Sequence, residues 1–376
     1  MTTPAYPAEL EAYWLKTAAA ETRCSADRDV LRRILPDIVR LSDRFTVARP
    51  DSPSEPYLRD TRSCAAYSLF FAPQTHARLS HILAELPPFP ETPVPLRILD
   101  LGAGTGAASW AILDHLGDRP ASILAWDHSR AALRCLHELF TDLRRARWPQ
   151  ALLRTQCAPL DDFASNSDRF DLVVLHYVLN ELPPEARRTL LSRAARALAP
   201  GGRLVLCEPL LRDDGDYLRD LRAHALADCG LHVLAPCPHG APCPLPEPCH
   251  AVRSWRMPRS LQILNSSLRR DLPHLAFAYL VLSPTPPPPA DSLRVRIVGS
   301  PSHAKGQSLC PSCCPDGQLR RIQFLHRDFD AAGRKLLRHA ERGQSLAVCS
   351  IRPLGDPSLF RAEPAPSADL APPPAT

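Results

Sequence analysis

The sequence predicts an α/β protein: a doubly wound, mostly parallel sheet with an N-terminal helical region and a Cys-rich C-terminal extension. Three observations predict it. Strand and helix patterns alternate from residue 96 to 234. The strand in "LAPGGRLVLCEPL" is apolar without alternation, as a parallel sheet covered on both faces requires. A glycine-rich turn, Asp100-Leu101-Gly102-Ala103-Gly104-Thr105-Gly106, joins a short strand to a helix pattern. Glycine lets the backbone turn sharply there and approach a ligand closely.

Each element follows in order. Residues 1–85 read as helices, because "AELEAYWLKTAAAE" and "DRDVLRRILPDIVRLSDRF" space their apolar residues by three and four. "LPPFPETPVP" (86–95) is a proline-rich linker. In 96–234, the first strand is Ile98-Leu99 and the second runs from Ile123 to Trp126, ending at Asp127. "PLDDF" is a turn, Phe170 to Leu175 a fourth strand, and a fifth ends at Glu208-Pro209. Ligands of such sheets lie at the carboxyl ends of the strands. A Cys-rich metal-cluster and C-terminal region spans 235–352, with strand-like "LAFAYLVL" (275–282) and "SLRVRIVG" and a helix over 328–342. Residues 353–376 are expected to be a disordered tail.

Composition narrows the class. Of 376 residues, 45% are hydrophobic and 23% charged, which fits a soluble globular chain. No apolar run of about 18 residues predicts a membrane span. The N-terminus has neither a basic start nor an apolar h-region, so no secretory signal is expected. Glu9 and Glu11 argue against a mitochondrial transit peptide. Thirteen cysteines are then expected as reduced thiols or metal ligands rather than disulfides. Net charge is +5, and lysine occurs only at 16, 305 and 335. A GC-rich genome would account for the arginine bias. Arginine is also the better phosphate fork, so Arg144-Arg145-Arg147, Arg187-Arg188 and Arg320-Arg321 are either solvated faces or contacts to a nucleic acid backbone.

The Gly-x-Gly-x-Gly spacing after an acidic residue resembles motif I of class I S-adenosylmethionine-dependent methyltransferases. That resemblance implies that the loop, Asp100, Gly102, Ala103, Gly104, Thr105 and Gly106, wraps the amino acid and ribose end of the cofactor. Asp127 stands where a carboxylate can accept both ribose hydroxyls; its alternative is a helix N-cap, which Ser129 would serve equally. Asp161 or Asp162 would lie near the adenine, or in a plain turn. His176, Tyr177, Asn180 and Glu181 fall near the cofactor's methyl group by position. His176 can act as a base or be merely hydrogen-bonded. The Asn/Asp-Pro-Pro-Tyr/Phe motif of amino-group methylases is absent, and no catalytic residue is assigned.

In "APCPHGAPCPLPEPCH" (235–250), Cys237, Cys243 and Cys249 are separated by five residues each. Proline-dense loops do not fill regular cores, so three evenly spaced thiols point to metal. Thiolates select zinc or an iron–sulfur cluster. A fourth ligand would come from Cys310, Cys313, Cys314, His239 or His250. Spacing alone leaves zinc and cluster both open.

"CAAYSLFFAPQTHARLSHILAEL", "LDLGAGTGAASWA", "HYVLNELP", "LVLCEPL", "APCPHGAPCPL…CH" and "FAYLVL", in this order over about 60–345, resemble the mitochondrial-type ribosomal small-subunit methyltransferase family, which includes methyltransferase-like protein 17. The resemblance implies S-adenosylmethionine and a 4Fe-4S cluster, with zinc the lesser alternative. It implies Cys237, Cys243 and Cys249 as ligands. "KGQSLCPSCCPDG" aligns Cys313 as the fourth, with Cys310 and Cys314 still open. It implies the small ribosomal subunit and its rRNA as partners, and either an rRNA methyltransferase or a non-catalytic assembly factor. A monomer without a membrane anchor is expected, cytoplasmic in a bacterium or mitochondrial in a eukaryote. The chain departs from the family at "EPCH", at "PHLAFAYL" and at Leu210-Leu211, where Gly-Thr is usual.

Overall fold

The computed structural model describes residues 4–46, 56–92, 94–164, 168–210, 217–270, 273–287 and 292–364. Leu211 of the departure just named, and residues 365–376 of the tail, lie outside them. Four helices come first: α1 (Ala8–Thr22), α2 (Asp27–Thr46), α3 (Thr61–Phe70) and α4 (Ala72–Ala84). Leu10, Trp14 and Ala18 recur every fourth residue and form the buried stripe of α1. Asp60 starts α3 with a reciprocal cap: Ser63 N–H donates to Asp60 Oδ1 at 2.7 Å, and Asp60 N–H donates to Ser63 Oγ at 3.1 Å.

The central sheet holds β1 (Leu96–Leu101), β2 (Ala121–Asp127), β3 (Ala151–Cys157), β4 (Phe170–His176) and β5 (Leu198–Glu208). Helices α5 (Ala107–Leu116), α6 (Arg130–Arg147) and α7 (Pro184–Arg196) lie between them, and α8 (Tyr217–Ala227) follows. Then come β6 (His232–Ala235), β7 (Ala251–Ser254), α9 (Arg259–Ser267) and β8 (His274–Ser283). The order is β3-β2-β1-β4-β5-β8-β6, with β7 also on β8. Strands β1 to β5 pair in parallel, and β8 runs antiparallel to β5. Alternate residues feed two cores. Ile98, Leu172 and Val174 enter one; Leu99, Leu101, Val173 and Leu175 enter the other. That is why these strands are apolar throughout.

Two boundaries differ from the expectation. The strand at 275–282 is not part of the C-terminal region; as β8 it completes the central sheet beside β5. Residues from 353 onward do not all form a tail. A second sheet contains β9 (Leu293–Ile297), β10 (Ser302–Ala304), β11 (Gln307–Cys313), β12 (Leu319–Leu325), β13 (Ser345–Val348), β14 (Ser350–Leu354) and β15 (Asp356–Glu363), with α10 (Ala331–Arg338) after β12. Its order is β13-β9-β11-β12-β15-β14, β10 pairing β11. The segment "DPSLFRAE" lies parallel to β12, and Ala362 is buried. Only the proline- and alanine-rich composition beyond it suggested a tail. This sheet has its own core of Val295, Ile297, Cys310, Ile322, Phe324, Leu346 and Val348.

Buried polar side chains join the three parts. Arg253 Nη2 on β7 donates to Glu85 Oε1, just past α4, at 2.7 Å and to the Gly343 carbonyl at 2.6 Å. Arg296 Nη1 on β9 donates to the same carbonyl at 2.7 Å and to the Tyr279 hydroxyl on β8 at 3.0 Å.

Candidate functional site

The glycine-rich loop leaves β1 at the carboxyl edge of the sheet. Gly102, Gly104 and Gly106 have φ of +78°, +53° and +88°, which L-residues avoid. Gly102 and Ala103 N–H donate to the Trp126 carbonyl at 2.8 and 3.1 Å, pinning the loop to β2. A Cβ on Gly102 would stand 2.4 Å from Val178 Cγ2, and one on Gly106 2.6 Å from Trp110. One on Gly104 would meet only Leu58 Cδ1 at 4.0 Å. The outer two glycines are therefore required by packing, whereas the middle one faces open space.

Asp100 is buried and accepts from Ser109 Oγ at 2.6 Å, tying β1 to the first turn of α5. Burial pushes its carboxyl up to about 6, against that hydrogen bond. Asp127, also buried, accepts from Gly104 N–H at 2.8 Å and Ser129 N–H at 2.7 Å. Desolvation raises its pKa in spite of both bonds. The cap of α6 falls to Ser129, whose hydroxyl accepts from Ala132 N–H at 3.1 Å. Asp127 thus holds the loop to the end of β2. Oδ2 keeps a further lone pair, while Oδ1 also faces His128 Nδ1 at 3.5 Å.

The N-terminal helices close over this loop, which sequence reasoning missed. Ser68 Oγ donates to Thr105 Oγ1 at 2.8 Å, and Ser129 Oγ donates to the Leu58 carbonyl at 2.5 Å. Tyr57 and Tyr67 are half-buried and pack against each other, 6.3 Å between ring centroids. Desolvation raises both phenols, and the charges of Glu181 and Asp127 add to the rise. Tyr67 lies on α3, where a helical pattern alone does not single out a functional side chain.

The remaining candidates are placed as follows. Asp161 sits on a short turn, side chain exposed; its carbonyl accepts from Arg193 Nη1 at 2.6 Å. His176 ends β4, buried, with neither ring nitrogen hydrogen-bonded. Burial, with the Arg78 guanidinium nearby, pushes it down to about 3. Tyr177 follows at φ +60°, its ring 5.0 Å from the Arg78 guanidinium. The backbone N–H groups of Leu179 and Asn180 both donate to Glu208 at 3.1 Å, and Tyr217 OH donates at 2.7 Å.

Burial pushes the Glu208 carboxyl up to about 7, and these donors oppose the rise. A raised folded value favours the protonated form, so this contribution to stability is present below about pH 4.5 and is lost as pH climbs through 7. Glu208→Gln is expected to flatten that slope. Above pH 8 it should be about 2 kcal/mol more stable than wild type, allowing roughly 1.4 kcal/mol per pH unit of separation less one weakened hydrogen bond of about 1 kcal/mol. Urea unfolding at pH 5 and pH 8 checks it; the same slope in both proteins counts against the assignment.

Three thiols of the 235–250 loop lie within electrostatic range of Cys313. Burial pushes Cys313 up to about 12, and Cys237, Cys249 and Cys243 add to the rise. Cys310 is raised by burial alone. Cys310 and Cys314 belong to the core of the second sheet, and Cys313 does not. Residues 310 and 313 fall on opposite faces of β11 by strand alternation. His239 Nε2 lies 3.2 Å from Cys313 Sγ. Arg222, buried, donates to the His239 carbonyl at 2.8 Å and opposes the rise that burial imposes on Cys237. Among the described residues, however, no group of three or more His, Cys, Asp or Glu side chains stands ready-made to hold a metal ion.

Parallel strands ordered 3-2-1-4-5, a glycine turn after β1 and a carboxylate ending β2 define a class I methyltransferase-like protein. The chain belongs to the Rsm22 family, described as mitochondrial small ribosomal subunit Rsm22, which matches residues 61–346. It is 33% identical over 121 residues to the carboxy-S-adenosyl-L-methionine synthase of Stutzerimonas stutzeri (strain A1501), covering 32% of this chain and 48% of that one. To the enzyme of the same name in Ectopseudomonas mendocina (strain ymp) it is 35% identical over 118 residues, 31% and 47% of the two chains. The chain thus spans about half the length of these curated relatives. Among solved structures it is similar to a TehB-like SAM-dependent methyltransferase from Corynebacterium glutamicum (TM-score 0.34, 18% identity, 56% and 86% covered). It is also similar to magnesium protoporphyrin IX methyltransferase from Synechocystis PCC 6803 with bound SAM (TM-score 0.36, 16% identity, 66% and 97% covered). Among the described residues no helix is long and apolar enough to cross a membrane.

Proposed function

We propose that this protein binds S-adenosylmethionine on the loop 100–106 and acts on rRNA of the small ribosomal subunit, with a 4Fe-4S cluster held by Cys237, Cys243, Cys249 and Cys313. The observation that carries the cofactor reading is Gly104, whose backbone is held by Asp127 while its α-carbon faces open space. Asp127 then accepts the ribose hydroxyls through its remaining lone pairs, and Asp161 lies toward the adenine. When bound, the cofactor supplies an electrophilic methyl group. Asp127→Ala is expected to weaken S-adenosylhomocysteine by about 1.5–3 kcal/mol, the worth of hydrogen bonds to a charged group. Titration calorimetry measures it, and unchanged affinity would remove the assignment.

The cluster reading rests on the donor set. Four thiols suit iron–sulfur chemistry in kind, and Cys313 lies outside the barrel core, against His239 of the 235–250 loop, whereas Cys310 is inside that core. When bound, the cluster would supply a crosslink between the 235–250 loop and β11. Cys243→Ser is expected to abolish the brown colour of anaerobically purified protein and to loosen residues 292–364, leaving the glycine loop formed. Absorbance near ~400 nm, characteristic of Cys-ligated iron, and metal analysis are the readouts. One zinc per colourless chain would overturn the cluster.

A second reading, a non-catalytic assembly factor, is favoured by His176. A buried imidazole held near 3 is too weak a base to take a proton at neutral pH. Mapping rRNA methylation in a deletion strain separates the two readings: a lost methyl group favours the enzyme.

A further inference from the structure

The second sheet is a closed ring. β9, β11 and β12 form an antiparallel meander, β12 pairs in parallel with β15, and β15 pairs antiparallel with β14. β13 pairs antiparallel with β9. β13 and β14 are consecutive, with only Cys349 between them, so together they serve as one strand that closes the ring between β15 and β9. Counted this way there are five strands in the cyclic order 1-2-3-5-4, with α10 between the third and the fourth. This is the Greek-key barrel of the OB type, whose second and third strands and flanking loops bind oligonucleotides and oligosaccharides.

Charge selects between those ligands. Residues 292–364 hold twelve Lys and Arg against six Asp and Glu, a net +6. The whole chain is +5, so the rest of the molecule sums to −1. The excess positive charge is therefore confined to the barrel. Along β11 and β12, residues 308, 310, 312, 322 and 324 are buried inside. Clear of Cys313, which faces out against His239, the outward set is Leu309 and Pro311 on β11, with Arg321 and Gln323 on β12. Register places Leu309, Gln323, Arg361 and Arg352 in one row across four strands. Arg321 is exposed two residues before Gln323, and exposed Lys305 turns the hairpin between β10 and β11 at one rim of this face.

We infer that the outer face of β11 and β12, with Lys305, Arg321 and Arg352, binds single-stranded RNA. The inference deepens the ribosomal reading and rests on it only for the identity of the RNA. Half-buried apolar side chains between cations offer surface for unpaired bases, while the guanidinium groups take phosphate oxygens.

The test uses the full-length protein and a fluorescein-labelled 12-mer of oligouridylate, followed by anisotropy from 50 to 200 mM KCl. Wild type should bind, with affinity falling steeply with salt. Lys305→Glu combined with Arg321→Glu should weaken binding at least tenfold and lower the log–log salt slope by about 1.4, or roughly 0.7 per lost phosphate contact. Arg28→Glu with Arg154→Glu makes the same change in net charge on exposed sites outside the barrel and outside the arginine clusters and should shift affinity less than twofold. Equal loss in both double variants, or none in the first, overturns the inference, as does preference for a 12-base-pair RNA duplex. S-adenosylhomocysteine calorimetry and co-sedimentation with small subunits are run in parallel. Protein that binds the cofactor product and the subunit but not oligouridylate refutes the barrel face alone. Protein that binds oligouridylate but not the subunit refutes the ribosomal reading alone.

Discussion

Arg253→Met is expected to destabilise the fold by about 3–5 kcal/mol, the consequence of leaving a buried carboxylate without its cation. The Arg253 and Glu85 side chains are only 8% and 11% exposed. Glu85 would keep the Tyr279 hydroxyl as a donor, which offsets only part of the desolvation of a full charge. The Gly343 carbonyl would keep Arg296, and the Arg342 carbonyl would keep Val252 N–H at 3.0 Å. The loss therefore falls on Glu85. Adding Glu85→Leu to Arg253→Met should recover much of it, because neutral side chains of similar size replace buried pairs at little net change. Guanidinium unfolding of the three variants is the measurement. A loss below about 1 kcal/mol for Arg253→Met would show that water reaches Glu85. Because Glu85, β7, β8 and β9 come from all three parts, the single variant should also loosen the barrel against the sheet.

This junction illustrates what a sequence withholds. The parallel sheet was legible because its signals are local: apolar runs, the glycine turn, Asp127 one unit later. Asp127 and Ser129 could be weighed against each other from the sequence, and the structure divides the work, giving the cap to Ser129 and the loop tether to Asp127. Glu85, Arg253 and Arg296 lie 43 to 211 residues apart, and no periodicity couples such positions. The barrel was missed for a related reason. Its strands are short, "LRVRI" and "SLAV" among them, and its closure depends on pairing β12 with β15 across a helix. Cys310, Cys313 and Cys314 were indistinguishable as letters. Strand parity on β11 separates them, since Cys310 turns into the barrel core and Cys313 away from it.

Gly102→Ala is expected to lose about 2–5 kcal/mol of stability, while Gly104→Ala loses only about 1–2. Both backbones sit at positive φ, which disfavours an L-residue by about 1–2 kcal/mol. At Gly102 a second effect is added. Its new Cβ would stand 2.4 Å from Cγ2 of the buried Val178, so that the neighbour must shift, and overpacking of this kind costs about 1–3 kcal/mol. At Gly104 the nearest atom is 4.0 Å away, so no steric effect follows in the free protein. A methyl group there instead enters the space assigned to the ligand. The two variants should consequently separate folding from binding. Gly102→Ala should unfold at lower denaturant, and Val178→Ala should rescue the steric part but not the φ part. Gly104→Ala should stay folded yet bind S-adenosylhomocysteine at least tenfold more weakly. Equal midpoints for the two variants would overturn the contact account. Full affinity in folded Gly104→Ala would move the cofactor off this loop.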